Sequence, residues 1–196
     1  MTTRPKTADE WLEAVHREFQ RESDRAAAIV ACAILDEGLK ALLQKKLVAP
    51  EKPDHSLING SNPYLDSFGS RIDASFQLGL ISRYLARDLH LIRKIRNEFA
   101  HQPQACTFET GRIGDWVKAL EAGSDYNRRK PETRKAIGPP GARWDFLGIA
   151  AWILYSIYGT LDDVKTITEH APEFGYIDWD QLPEEIRKLL IDSGAT

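Results

Sequence analysis

One segment of the chain carries apolar residues at regular helical spacing. Between residues 81 and 99 they recur at steps of four, four, three, three and four, as Ile81, Leu85, Leu89, Ile92, Ile95 and Phe99. At about 100° per residue these side chains form one stripe along a helix. Pro103 disfavours the helical conformation at the preceding residue, so the helix should end near His101. The pattern predicts a long amphipathic helix with one buried face.

The rest of the chain is also patterned for helices. Thr7 and Glu10 form a capping box that opens a first helix, and the apolar residues 26–35 begin a second helix, which we expect to be central. Further helices are predicted at residues 68–81, 109–122, 142–164 and after Pro183. No period-two strand pattern is present. The sequence therefore predicts an all-α fold, with a bundle of five to six helices over residues 1–164 and a C-terminal helical extension over residues 165–196.

Composition narrows the classes of function. Hydrophobic residues make up 42% of the chain and charged residues 28%, as in ordinary globular proteins. The longest apolar run is too short to span a bilayer and the N-terminal residues show no leader-like core, so we expect a cytoplasmic protein. The net charge of −3 argues against non-specific coating of nucleic acid. A basic run at residues 127–130 is a candidate local patch, but a solvated loop is its simpler interpretation.

The cysteines give no metal or redox signal. Cys32 and Cys106 are isolated and have no metal-ligand spacing, and Cys32 lies inside an apolar run. We expect Cys32 to be a small core residue, and no metal or cofactor site is predicted.

Arg96 stands in an unusual place for a charged residue. On an ideal helix it lies about 40° from Ile92, within the apolar stripe. A guanidinium buried there without a partner costs several kcal/mol. Two explanations are open. Either Asp36 or Glu37 on the second helix forms a purely structural ion pair with Arg96, or Arg96 lines a cleft.

Asn97 and His101 are four residues apart and share a ridge with Arg93, whereas His101 lies about 140° around the helix from Arg96. Arg96 and His101 of one chain therefore come together only if the helix loosens near Ala100 or if a second subunit contributes. A two-fold dimer through this helix would place two arginines and two histidines in one cleft. Such a cleft suits metal-independent phosphodiester cleavage, because imidazole can accept a ribose 2′-hydroxyl proton and guanidinium can hold the charge on phosphate.

Residues 68–72, 78–81 and 88–101 resemble the mannitol operon repressor (MltR-like) family of small helical bacterial proteins. The resemblance covers residues 24–101 and continues weakly to the helix that contains Trp144. The pattern R-N-x-x-x-H at the end of a bundle helix also resembles the HEPN superfamily, whose active members are metal-independent RNases that work as homodimers. This resemblance implies a catalytic site of Arg96, Asn97 and His101. His101 would be the general base or acid, Arg96 would hold the phosphate, and Asn97 would orient Arg96 or the scissile phosphate.

Two functions follow from the resemblance. The first is a homodimeric HEPN-like endoribonuclease in a toxin or stress and defence role, held in check by a protein partner. The alternative is a non-catalytic MltR-like transcriptional regulator, in which Arg96 is structural and the dimer presents a surface to another protein. Direct sequence-specific DNA binding is not expected, because no helix-turn-helix or zinc-finger pattern is present. Neither function involves a membrane.

Overall fold

The computed structural model describes residues 5, 7–102, 106–120, 139–170 and 179–193. Within these ranges the chain forms seven α-helices and no strand, so the predicted all-α fold is confirmed. The helices are α1 (Ala8–Phe19), α2 (Asp24–Lys46), α3 (Phe68–Gln77), α4 (Arg83–His101), α5 (Gly111–Lys118), α6 (Ala142–Asp163) and α7 (Glu184–Asp192). None of them is long and apolar enough to cross a membrane. The basic run at residues 127–130 lies outside the described ranges.

Helix α2 is the central helix of the bundle, as predicted. It packs against α3, α4 and α6, and its leucines are completely buried: Leu35, Leu39, Leu42 and Leu43. The approach of α6 is closest at Gly38, where an added Cβ would lie 3.1 Å from Ile157 Cγ2. A glycine is needed there because Ile157 is itself fully buried and has little room to move.

Helix α1 packs along α6 through two ring contacts. The rings of Trp11 and Tyr158 stack with centroids 5.1 Å apart, and those of His16 and Trp144 stack at 4.7 Å. The predicted capping box at Thr7 is present, with the Glu10 N–H donating to Thr7 Oγ1 at 3.2 Å. The ring contacts hold α1 against α6, and the capping box stabilises the start of α1.

The turn between α3 and α4 begins earlier than the sequence pattern predicts. The third helix was expected to end at residues 79–81, but α3 ends at Gln77. Gly79 has a φ of +69°, a left-handed conformation that glycine adopts without steric cost. The resulting turn returns Leu80 and Ile81 to the core, where both are buried.

Helix α4 matches its predicted length and face. Ser82 Oγ accepts from the Leu85 N–H at 3.2 Å and caps the helix, which remains α-helical to His101. Its apolar stripe forms part of the core, with four residues fully buried: Leu89, Ile92, Ile95 and Phe99. The helix that carries the R-N-x-x-x-H pattern is therefore fixed along most of its length.

The segment that follows α6 is attached to the end of α2. The Ile167 N–H donates to the Lys46 carbonyl at 2.8 Å, and Thr166 Oγ1 donates to the Lys45 carbonyl at 2.9 Å. Lys45 Nζ in turn donates to the Leu161 carbonyl at 2.6 Å. Further along, α7 exposes three large apolar side chains: Ile186, Leu189 and Ile191.

Candidate functional site

Arg96 is partly buried where α4 packs on α2. Its guanidinium lies close to the thiol of Cys32, which is only 3% exposed. Burial raises the pKa of the Cys32 thiol, and the nearby Arg96 guanidinium opposes that rise. Because the pKa is raised overall, the thiol is neutral at pH 7. The side chain that Arg96 contacts on α2 therefore does not neutralise it.

The two acids expected to pair with Arg96 have other partners. Asp36 Oδ1 accepts from Arg71 Nη1 at 2.8 Å, and Glu37 Oε1 accepts from Lys40 Nζ at 3.5 Å. Neither carboxylate forms an ion pair with Arg96, so the expected pairing with Asp36 or Glu37 is not present. Within the described ranges Arg96 has no carboxylate partner.

Arg71 on α3 is the arginine that Asp36 neutralises. It is 8% exposed, and besides the ion pair its Nε donates to the Leu65 carbonyl at 2.9 Å and its Nη2 to the Asp66 carbonyl at 3.2 Å. This ion pair was missed from the sequence. The available signal was the position of Arg71 three residues after Phe68, on the apolar face of its helix.

The other two predicted site residues lie on the outer side of α4. His101 is exposed and Asn97 is partly exposed, one turn apart on the same ridge. Because α4 stays regular to its end, Arg96 and His101 remain about 140° apart around the helix axis. A single chain thus places all three residues at one end of α4 but does not direct Arg96 and His101 to one point.

Arg93 adds a second guanidinium to this region. It lies one turn before Asn97, and a Cβ added to Gly69 on α3 would be 3.6 Å from its Cζ. Arg93 Nε is buried and has no hydrogen-bond partner among the described atoms. The charge of Arg93, like that of Arg96, acts to lower the pKa of the Cys32 thiol. Both guanidinium groups therefore lie near the same thiol.

An exposed apolar surface adjoins Arg96 on α2. We call it the α2 strip; it consists of Ile29 and Val30, exposed by 39% and 38%, and the exposed Ala33. Ile29 lies about 60° around an ideal helix from Cys32, the residue that contacts Arg96. The strip thus begins beside Arg96 and faces solvent.

Two pockets lie elsewhere on the described surface. A mostly apolar pocket of about 680 Å³ is at the far end of α2, lined by residues that include Val48, Leu57, Ile58 and Ile167. A more polar pocket of about 460 Å³ lies between the end of α4 and α5, with Glu98, Gln102 and Arg112 in its lining. Among the described residues, neither lining includes Arg96, Asn97 or His101. The sequence did not indicate the first pocket, because loop residues form much of it.

The described part of the site therefore consists of two partly buried guanidinium groups, an amide and an exposed imidazole beside an apolar strip. Its chemistry is that of an anion-binding surface with one side chain able to transfer protons. No protein-family model, curated protein or solved structure matches this chain.

Proposed function

We propose that this chain is a HEPN-like, metal-independent endoribonuclease that acts as a homodimer. The observation that carries the proposal is the environment of Arg96, which is partly buried, contacts a neutral thiol and has no carboxylate partner within the described ranges. A guanidinium held this way is costly in the free protein and favourable once an anion binds. The phosphodiester group of RNA supplies such an anion and accepts paired N–H donors.

The roles of the three residues follow from their chemistry. The His101 imidazole accepts the proton of a ribose 2′-hydroxyl, and the 2′ oxygen attacks the adjacent phosphorus. The bond from phosphorus to the 5′ oxygen breaks, that oxygen takes up a proton from water, and a 2′,3′-cyclic phosphate remains. Arg96 holds the non-bridging oxygens as charge builds on them. Asn97 lies between the two in sequence and orients Arg96 or the phosphate.

The site requires a second copy of the chain, because Arg96 and His101 of one α4 point about 140° apart. The α2 strip supports this dimer, since it is apolar, exposed and adjacent to Arg96. A two-fold contact through the strip brings the motif ends of two α4 helices toward each other. One chain would then provide Arg96 and the other His101.

The dimer is tested with Val30→Asp and the matched control Val48→Asp. These valines are similarly exposed, by 38% and 43%, but Val48 lines the apolar pocket at the opposite end of α2. Sedimentation should show a dimer for the wild type and for Val48→Asp, and a monomer without RNase activity for Val30→Asp. A monomeric wild type that still cleaves RNA would contradict the shared site.

Catalysis is tested by incubating the protein with total RNA and transfer RNA in EDTA. His101→Ala and Arg96→Ala should each reduce the cleavage rate by about 10²–10⁴-fold, the usual range for loss of a general base or a phosphate contact. His55→Ala is the control, because His55 is also exposed but lies in the loop after α2. Absence of cleavage, or equal cleavage by His101→Ala, would reject the enzyme.

In the cell, we place this activity in the cytoplasm as a toxin or a stress and defence effector that a protein partner holds in check. Induced expression of the wild type should then arrest growth, and expression of His101→Ala should not. Equal growth of the two strains, with both proteins soluble and equally abundant, would remove the toxin role.

The second candidate is a non-catalytic MltR-like transcriptional regulator that works through protein contacts. The large apolar pocket and the exposed apolar residues of α7 favour it, since exposed apolar surfaces commonly mark protein interfaces. It predicts a dimer that cleaves no RNA and that loses a protein partner when Val48 is replaced by Asp. The same Val48→Asp variant leaves the enzyme unaffected, so one pair of variants separates the two functions.

A further inference from the structure

We infer that Arg93 and Arg96 together form an oxyanion site for a phosphate of the RNA backbone, next to the phosphate that is cleaved. This inference rests on the proposed function and adds Arg93 to it as a substrate-binding residue. It also gives the bound strand a direction, from Arg93 and Arg96 of one chain along the ridge of α4 to its Asn97 and His101, where Arg96 of the second copy holds the phosphate that is cleaved.

The position of Arg93 is the first reason. Its guanidinium lies against the backbone of Gly69, within 3.6 Å of where a Cβ would stand. Arg93 Nε is buried and has no hydrogen-bond partner among the described atoms. The group is thus held in place by packing while part of its hydrogen-bonding capacity is unused.

The second reason is that acids on the neighbouring helices pair with other residues. Asp36 pairs with Arg71 at 2.8 Å, and Asp73 with His90 at 3.0 Å. No ion pair links Arg93 or Arg96 to an acid in the part of the chain that the structure describes. Two guanidinium groups that both act on the Cys32 thiol repel each other, and a shared anion relieves that repulsion.

The α3 helix adds to the positive potential. Gly69 is the second residue of α3, and the first turn of a helix carries a partial positive charge from its unpaired N–H groups. That turn has the sequence Phe-Gly-Ser-Arg, without an acid to offset the helix dipole. Arg71 in that turn is neutralised by Asp36, whereas the Arg93 guanidinium beside Gly69 has no acid partner within the described ranges, so the helix and the two unpaired guanidinium groups favour the same kind of ligand.

The geometry also relates this site to the motif. Arg93, Asn97 and His101 recur every four residues, so they lie on one ridge that spans about 12 Å from first to last. Arg93 is therefore about one helical turn from Asn97 and two from His101. This spacing fits an extended RNA strand along α4 rather than an isolated phosphate ion.

The test measures RNA binding in the His101→Ala background, which prevents cleavage, with EDTA present. Fluorescence anisotropy of a short single-stranded RNA should show a Kd at least 10-fold higher with Arg93→Gln, and a salt slope lower by about one. Lys94→Gln is the matched control, because it removes the same charge from the neighbouring exposed residue on α4. It should change the Kd less than about 2-fold. Arg93→Lys should recover the salt slope but only part of the affinity.

Thermal unfolding shows whether the variants are folded, and it distinguishes binding of an RNA phosphate from binding of free inorganic phosphate. In buffer without phosphate, Arg93→Gln should melt a few degrees higher than the wild type, because one unneutralised guanidinium is gone. Added inorganic phosphate should raise the Tm of the wild type more than that of Arg93→Gln. Binding of phosphate without binding of RNA would overturn the RNA site and leave only a site for the free ion.

The outcomes distinguish this inference from the proposed function. If the wild type cleaves RNA and Arg93→Gln leaves both KM and Kd unchanged, the RNase stands and the phosphate site is rejected. If the wild type binds RNA in an Arg93-dependent way but cleaves none, the site stands and the RNase fails. If Arg93→Gln and Lys94→Gln change the Kd for RNA equally, Arg93 contributes only its charge and forms no specific phosphate site. That result would overturn the inference.

Discussion

Two arginines of this bundle lie against the same helix in opposite electrostatic settings. Arg71 is neutralised by Asp36 and donates to two backbone carbonyls, so all three of its donor nitrogens are used. Arg96 meets α2 one turn earlier, at Cys32, and has no acid partner within the described ranges. The surroundings of Arg71 are complete without a ligand, whereas those of Arg96 are not. The difference separates an arginine whose charge is neutralised within the chain from one that has no acid partner within the described ranges.

The position of Asp36 decides which arginine is neutralised. Cys32 and Asp36 are one turn apart on α2, so a carboxylate at one position and a thiol at the other give the two neighbouring arginines different partners. A buried ion pair tolerates the loss of one member poorly, because the remaining charge is left without compensation. Arg71 and Arg96 should therefore respond very differently to the same substitution.

The largest expected effect is on stability. Arg71→Ala leaves Asp36 and two backbone carbonyls without their donor, and it should lower the free energy of unfolding by about 3 kcal/mol. Arg96→Ala removes a guanidinium that has no acid partner together with its contact with a neutral thiol, so it should change the free energy of unfolding by less than about 1 kcal/mol. Urea unfolding at pH 7, followed by circular dichroism, measures both. Equal losses would show that Arg96 is as structural as Arg71 and would remove the contrast.

A smaller effect is expected at alkaline pH. Burial raises the pKa of the Cys32 thiol, so this group stabilises the fold fully below the pKa of the unfolded thiol, about 8.5. That contribution is lost as pH rises toward the folded pKa, at no more than about 1.4 kcal/mol per pH unit. The difference in unfolding free energy between the wild type and Cys32→Ala should shrink accordingly between pH 8 and 10.

Arg96 opposes this rise in the pKa, so Arg96→Gln should move ionisation of the thiol to still higher pH. Thiolate absorbance during a pH titration measures it directly, in a Cys106→Ala background that leaves Cys32 as the one cysteine. Lys94→Gln controls for the change in net charge. If Arg96→Gln and the wild type titrate together, Arg96 does not act on Cys32 and its placement must be reconsidered.

The contrast between Arg71 and Arg96 also shows which structural features could be predicted from the sequence and which could not. The apolar stripe of α4 and the caps at Thr7 and Ser82 were predicted, because they depend on residues within a few positions of one another. The pairing of Asp36 with Arg71 was not predicted. The two residues are 35 positions apart, and their contact depends on how α3 is rotated against α2. The sequence pattern could place Arg96 at a buried face, but the packing of three helices decides whether an acid reaches it.

The smallest expected effect concerns Gly69, which separates packing from charge at Arg93. Gly69→Ala should raise the free energy of unfolding by about 0.5 kcal/mol, because alanine favours the helix and loses less backbone entropy on folding. The new methyl group would meet Arg93 Cζ and Nη1 at 3.6 Å, an ordinary van der Waals contact. Thermal unfolding should show a Tm higher by roughly 1–2 °C. A lower Tm would mean that the Arg93 side chain cannot adjust to the new methyl group. Arg93 would then be fixed by a partner, as Arg71 is by Asp36.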